Sequence, residues 1–361
     1  MRLTLLILTI NAEKELARIL PELADIGDEL VIAIDDTTTD GTREVARQFT
    51  DQIHPVTHAG FCGRGRPEDP NAVECMLPHC HGDWILRVDQ DETLSPQWHD
   101  RSYVARLLAD RFATHCWIPR RWALPPGERY ISNRHWQPDY QLRLFRNIPF
   151  LLNFNRSPHS PPGVAGEAHW LTDSWLIHWD YIWHDRRQRE AKVEFYRELA
   201  TYTAREFYIY EDQAFETRPL FHPVPEMARA AMAGQAGGAY SAAIEVLDCP
   251  AVMEAGSYAS VLVGIHNRSG RLLRPSSVLV RPANVFLSSH WFTATGEIAR
   301  WDNARSDLPK RLKSGESAAG YLMVAAPEQP GDYLLQPDLV EEGVAWFSQH
   351  SPMPSHPVRV A

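Results

Sequence analysis

The sequence predicts an α/β domain built on a mostly parallel sheet, followed by an all-β domain. Three observations carry this expectation. Apolar runs and amphipathic stretches alternate from residue 3 to about 89, which builds parallel strand–helix units. After about residue 248 the texture changes to short alternating runs separated by turn signals. Between them, residues 219–248 are rich in Gly, Ala and Pro and read as a linker. The expected division is a domain with a helical extension over 1–218, a linker over 219–248 and a β-sandwich over 249–361.

The elements follow in order. Residues 3–10 are a buried strand, too short to span a bilayer and without a signal-peptide cleavage site. Residues 13–25 are a helix, with Leu16, Ile19, Leu20 and Leu23 at helical spacing. A strand over 29–34 and a helix over 41–49 come next. A Gly/Pro-rich loop over 60–72 leads to a helix over 71–81 and a strand ending at Asp89. Further strands are expected at 114–120 and 141–146, and a long charged helix at 186–210. In the second domain the strand runs are 258–265, 278–280, 285–292, 319–325 and 332–340.

The most informative stretch is Trp84-Ile85-Leu86-Arg87-Val88-Asp89-Gln90-Asp91-Glu92-Thr93-Leu94. An apolar strand ends in three carboxylates within four residues. Such close carboxylates repel one another unless a cation sits between them. Strand ends of open α/β sheets are also where ligands bind. The pattern therefore reads as a site for Mg²⁺ or Mn²⁺ carrying a phosphate-bearing substrate. Two chemistries use an Asp-x-Asp in this way: nucleotide-sugar glycosyl transfer and the phosphatases of the haloacid-dehalogenase type. An acidic turn with no metal is the third reading.

Composition narrows the classes. The formal net charge of −10 argues against nonspecific nucleic-acid binding. The five cysteines, Cys62, Cys75, Cys80, Cys116 and Cys249, are few and irregularly spaced. They read as reduced thiols, which implies a cytoplasmic protein. Cys75, His79, Cys80 and His81 fit no standard zinc spacing. No segment reaches membrane-spanning length, so any membrane association would be peripheral, at the inner face.

Three segments then carry a resemblance. Leu5-Leu6-Ile7-Leu8-Thr9-Ile10-Asn11-Ala12-Glu13, Ile32-Ala33-Ile34-Asp35-Asp36-Thr37-Thr38-Thr39-Asp40-Gly41-Thr42 and the Asp89-Gln90-Asp91-Glu92 strand resemble, in order and spacing, the family 2 glycosyltransferases. Thr37-Thr38 replaces the family's Gly-Ser. The resemblance implies a GT-A fold over residues 1–180 and a nucleotide-sugar donor. It implies that Asn11, Glu13, Asp35, Asp36 and Asp89 line the nucleotide, with Arg64 or Arg66 as a loosely matched basic residue and Asn71 after it. It implies metal ligation by Asp89 and Asp91. The phosphatase reading falls on context, because its Asp-x-Asp follows the first strand of the sheet. Asp40 reads as a turn and capping residue.

An inverting transferase needs a general base for the acceptor hydroxyl. Trp136-Gln137-Pro138-Asp139-Tyr140-Gln141-Leu142-Arg143 is similar to a segment of members that build surface glycans. Asp139 is the first candidate base, set against an ion pair with Arg143, and Glu167 is the second. Where those relatives carry His-Glu, this chain has His159-Ser160. Ser174-Trp175-Leu176-Ile177-His178-Trp179 resembles the segment closing the catalytic region, which makes His178 a candidate third metal ligand. Trp136, Trp170 and Trp179 are candidate stacking surfaces for acceptor sugars.

Residues 250–361 resemble the immunoglobulin-like sandwich fused to bacterial surface-polysaccharide enzymes. Trp291, Trp301 and Trp346 are its candidate glycan platforms, and packing or homodimerisation is the alternative. The expectation is a metal-dependent, inverting glycosyltransferase acting on a glycan or glycolipid. Its rival is a catalytically inactive glycan-binding or scaffold protein.

Overall fold

The computed structural model describes residues 1–57, 71–133, 136–154, 162–199, 205–232, 237–276 and 284–361. Arg64, Arg66, His159, Ser160 and the strand expected at 278–280 lie outside them. The chain divides into two compact units. The first comprises 1–166 and 174–222, and the second comprises 167–173 and 223–361.

In the first unit β1 (Leu3–Thr9) is buried along nearly its whole length. Helix α1 (Glu13–Leu23) turns Leu16, Ile19, Leu20 and Leu23 inward, as their spacing requires. Next come β2 (Glu29–Asp35), the short α2 (Thr42–Ala46) and β3 (Ile53–Val56). Helix α3 (Ala72–Met76) starts at Asn71, whose side chain accepts from the Val73 N–H at 2.9 Å. Asn71 is thus a cap. Strand β4 (Trp84–Asp89), the three-residue β5 (Glu92–Leu94) and α4 (Arg101–Ala109) follow. Then come β6 (Ala113–Leu124), β7 (Arg129–Ile131) and β8 (Asp139–Arg146). The unit closes with β9 (Leu176–His178), α5 (Asp180–Trp183), α6 (Arg186–Leu199), α7 (Arg205–Tyr208) and β10 (Thr217–Pro219).

The strand order is β10-β7-β6-β8-β4-β1-β2-β3, with β9 beside β6 and β5 beside β9. The β1–β2, β1–β4 and β2–β3 pairs are parallel. Strand β8 runs antiparallel to both β4 and β6. The sheet is therefore mixed, not mostly parallel. Only the first part of the unit has the helical crossovers that parallel pairing requires. The long helix expected over 186–210 is two helices in the described residues, α6 and α7.

The second unit is all-β apart from short helical turns. Strands β11 (Ala242–Asp248), β12 (Tyr258–Asn267) and β14 (Ser317–Ala325) form one antiparallel sheet. A second sheet is built on β13 (Val285–Thr293), β15 (Gly331–Glu341) and β16 (His356–Val360). Val261, Val263, Leu287, Trp291, Leu335 and Leu339 from both sheets share one core. Strand β11 lies inside the stretch expected to be linker. Among the described residues, no helix is long and apolar enough to cross a membrane.

Candidate metal and nucleotide site

The site starts at the end of β4. Strands β5 and β9 pair antiparallel, placing His178 opposite Glu92. The Trp179 N–H donates to the Asp91 carbonyl at 2.9 Å. This pairing brings residues 178–184 to Asp91 across some ninety positions of sequence.

Asp91, Asp180 and His184 each offer a ligand atom, and these atoms lie within 4.8 Å of one another. Both carboxylates are buried. His184 Nδ1 lies 3.0 Å from Asp180 Oδ1, and that contact raises the imidazole pKa. Burial opposes the charge on Asp91, yet Lys192 and His178 hold its carboxyl well below the usual range. Asp180 is likewise held low, by Lys192 and His184 against its own burial. Asp180 Oδ2 is buried with no hydrogen-bond partner among the described residues. A buried carboxylate oxygen left so is costly unless a ligand completes it. Two carboxylates with an imidazole suit Mn²⁺ or Mg²⁺. Of the three expected ligands, Asp91 belongs to this set. His178 borders it, with Nε2 3.3 Å from Asp91 Oδ2.

Asp89 belongs to a different arrangement. It pairs with Arg87 at 2.7 Å and with Arg143. Arg143 also reaches Glu92 at 2.7 Å, Glu92 reaches Arg120 at 3.2 Å, and Arg120 reaches Asp139 at 2.8 Å. Acid and base alternate along this row, with Glu92 and Arg143 buried and the others half-buried. Arg143 and Arg87 hold the Asp89 carboxyl far below its ordinary value, overcoming burial. The partner expected for Asp139 was Arg143; the observed one is Arg120, because the β6–β8 register sets Arg120 opposite Asp139.

Both expected bases are tied into ion pairs, Asp139 with Arg120 and Glu167 with Arg311. Asp139 also accepts from Trp122 Nε1 at 2.8 Å and Gln141 Nε2 at 2.7 Å, and with Arg120 these hold its carboxyl low against burial. Glu167 lies in the second unit, where Arg311 Nε donates to it at 2.8 Å. Burial would raise its pKa, but the hydrogen bonds from Arg311 and the nearby His169 imidazole bring it down to about 2. A charge held so firmly makes a weak general base.

The residues expected to line the nucleotide knit two turns together. Asn11, at φ 43°, accepts from the Thr39 N–H at 2.9 Å. Glu13 accepts from the Gly41 N–H at 3.1 Å. Asp40 accepts from the Thr42 N–H at 3.1 Å, the turn role read from sequence. Asp35 is buried at the end of β2 and accepts from the Thr37 N–H at 2.8 Å, while Asp36 is exposed.

Of the expected aromatic surfaces, Trp136 is fully buried and donates to the Tyr181 hydroxyl at 2.9 Å. Trp291 is fully buried in the second core. Neither can stack on a sugar.

Residues 4–159 match the family model described as Glycosyl transferase family 2. The N-terminal unit contains a family 2 glycosyltransferase domain. An uncharacterised glycosyltransferase of Rickettsia typhi is 30% identical over 99 residues, covering 27% of this chain and 31% of that protein. An uncharacterised protein of Mycobacterium tuberculosis is 28% identical over 207 residues, covering 52% of this chain and 48% of that one. The chain thus spans less than half the length of either relative. Among solved structures, TarS 1–349 of S. aureus aligns at TM-score 0.35 and 15% identity, covering 56% of this chain and 65% of that one. Glucosyl-3-phosphoglycerate synthase from M. tuberculosis, in complex with Mg²⁺ and uridine diphosphate, aligns at TM-score 0.24 and 20% identity, covering 34% and 43%.

Asp180, His184 and Lys192 lie beyond the matched segment of the glycosyltransferase domain. For Asp180 and His184 the signal in the sequence is the Asp-x-x-x-His spacing, which puts two ligand types on one face of a helical turn.

Proposed function

We propose that this chain is a metal-dependent, inverting glycosyltransferase that moves a sugar from a nucleotide-sugar donor to a glycan or glycolipid acceptor. The observation that carries the reading is the Asp91–Asp180–His184 cluster near the end of β4, in which Asp91 comes from the matched family 2 segment and the other two lie beyond it. Asp91 and Asp180 hold the divalent ion, and His184 adds a nitrogen donor. The ion, when bound, supplies Lewis-acid stabilisation to the departing nucleoside diphosphate. Asp35, at the end of β2, orients the base. The Arg87 and Arg143 pairs fix Asp89 at the ribose side. Asp139 becomes a base only when substrate draws Arg120 away from it.

The second unit is read as an immunoglobulin-like sandwich that engages the glycan or a second copy of the chain. Trp301 supports the glycan role: it is 36% exposed and stacked on His290, with ring centroids 3.9 Å apart.

The test is calorimetry of Mn²⁺ and nucleoside diphosphates on the full chain, followed by a nucleotide-sugar screen for released diphosphate. Asp91→Asn is expected to abolish Mn²⁺-enhanced nucleotide binding without unfolding the chain. Unchanged metal-dependent affinity in that variant would remove Asp91 from the site. Metal and donor binding without turnover on any acceptor would favour the inactive, glycan-binding reading.

A further inference from the structure

Lys192 sits among the atoms that would ligate the ion. Its Nζ is 3.2 Å from Asp91 Oδ2 and 2.8 Å from Asp180 Oδ1. It comes from α6, beyond the segment the family model matches. Its place is built. Arg189, one turn earlier on the same face, is buried and donates to the Tyr208 carbonyl at 2.6 Å and the His184 carbonyl at 3.3 Å. Those contacts fix α6 so that Lys192 faces the acidic pair. The face of the Tyr208 ring, 4.9 Å from Nζ, flanks the ammonium.

Resting on the metal reading above, we propose that Lys192 is a resident cation that competes with the divalent ion for Asp91 and Asp180. Two buried carboxylates this close need positive charge between them. The ammonium supplies it, holding the ligand pair assembled without metal. The ammonium occupies Asp91 Oδ2 and Asp180 Oδ1, so an ion that takes those two oxygens displaces it and the protein exchanges one cation for another. Metal affinity is thereby set low. This makes Lys192 a positioning residue whose influence is read first in metal binding.

The experiment compares the full-length wild type with Lys192→Met by calorimetric Mn²⁺ titration and by thermal melting with and without Mn²⁺. Removing a unit charge this close to the ion should tighten Mn²⁺ binding by at least about tenfold. The variant should melt lower than wild type without metal, and saturating Mn²⁺ should raise its Tm more than it raises the wild type's. Equal or weaker Mn²⁺ binding by Lys192→Met overturns the inference and leaves the metal reading standing. Absence of Mn²⁺ binding from both proteins removes the metal reading and the inference together. Lys192→Gln, which keeps a hydrogen-bond donor for the carboxylates, is the second variant if Lys192→Met does not fold. Tighter Mn²⁺ binding by Lys192→Gln supports the inference, and unchanged binding sinks it.

Discussion

Charge that looks solvent-exposed in the sequence is buried or half-buried in this protein. Asp89, Glu92 and Asp139 alternate with Arg143 and Arg120 along one row of ion pairs. Removing one partner of a buried pair leaves the other uncompensated, which typically costs about 3–5 kcal/mol. Asp139→Asn should lose stability on that scale by urea unfolding, because Arg120 is then left beside Glu92 alone. A variant of wild-type stability that loses only turnover would show that Asp139 serves as the base and that its ion pair contributes little to the fold. Glu167 gives a pH prediction. Its folded pKa of about 2 lies below the ordinary 4.5. The stability it contributes is therefore fully present above 4.5 and is lost as pH falls towards 2. Glu167→Gln should flatten the second unit's stability over that window. An unchanged acid profile in thermal melts at pH 5, 4 and 3 would show that the Arg311 pair contributes nothing.

At the scale of elements, the β5–β9 pair assembles the candidate ligands and α6 sets Lys192 against them. Arg189 ties α6 to the carbonyls of Tyr208 and His184 and to the Glu211 carboxylate at 3.1 Å. Arg189→Met keeps much of the side chain's packing but removes the charged hydrogen bonds. A loss of about 2–3 kcal/mol is expected, read by chemical denaturation, and Lys192 should lose its fixed approach to Asp91. Wild-type stability in that variant would mean that apolar packing alone holds α6. Strands β1, β2 and β4 were legible because each is a short apolar run bounded by turn residues. The acid cluster at Asp89–Glu92 was legible for the same reason, since it interrupts such a run. Strands β5 and β9 were not, because three residues carry no period. Strand β6 was legible only in part. Its Arg120 and Arg121 look solvent-facing, yet Arg120 is spent on ion pairs and Arg121 donates to the Leu220 carbonyl at 2.6 Å. Asp180 and His184 stayed hidden because their partner Asp91 is some ninety residues away, and only the β5–β9 pairing closes that distance.

At the scale of the whole molecule, the pattern change near residue 248 marks the all-β unit but not its first strand. Strand β11, at 242–248, pairs with β12 from Ala242 opposite Asn267 onward. It contributes buried Ala242 and Ile244 to the core. Its approach is anchored as well: the Ala228 N–H donates to Glu245 Oε2 at 2.7 Å, and Arg268 Nη2 donates to the Ala231 carbonyl at 2.9 Å. A fragment over 250–361 would therefore lack an edge strand, two core side chains and this anchor. Its β12 would present a row of unpaired backbone groups, a template for intermolecular pairing. A fragment over 223–361 keeps all three. The shorter fragment should elute as aggregate and melt without a cooperative transition. The longer one should be monodisperse, or a discrete oligomer, with a β-type circular dichroism spectrum and a cooperative melt. Equal behaviour of the two fragments would show that β11 is dispensable and would return the boundary to residue 248. If both fail, the 167–173 segment, which carries the Glu167 partner of Arg311, is required for the second unit to fold. Supplying residues 167–173 as a peptide, or fusing them ahead of residue 223, should then restore the cooperative melt.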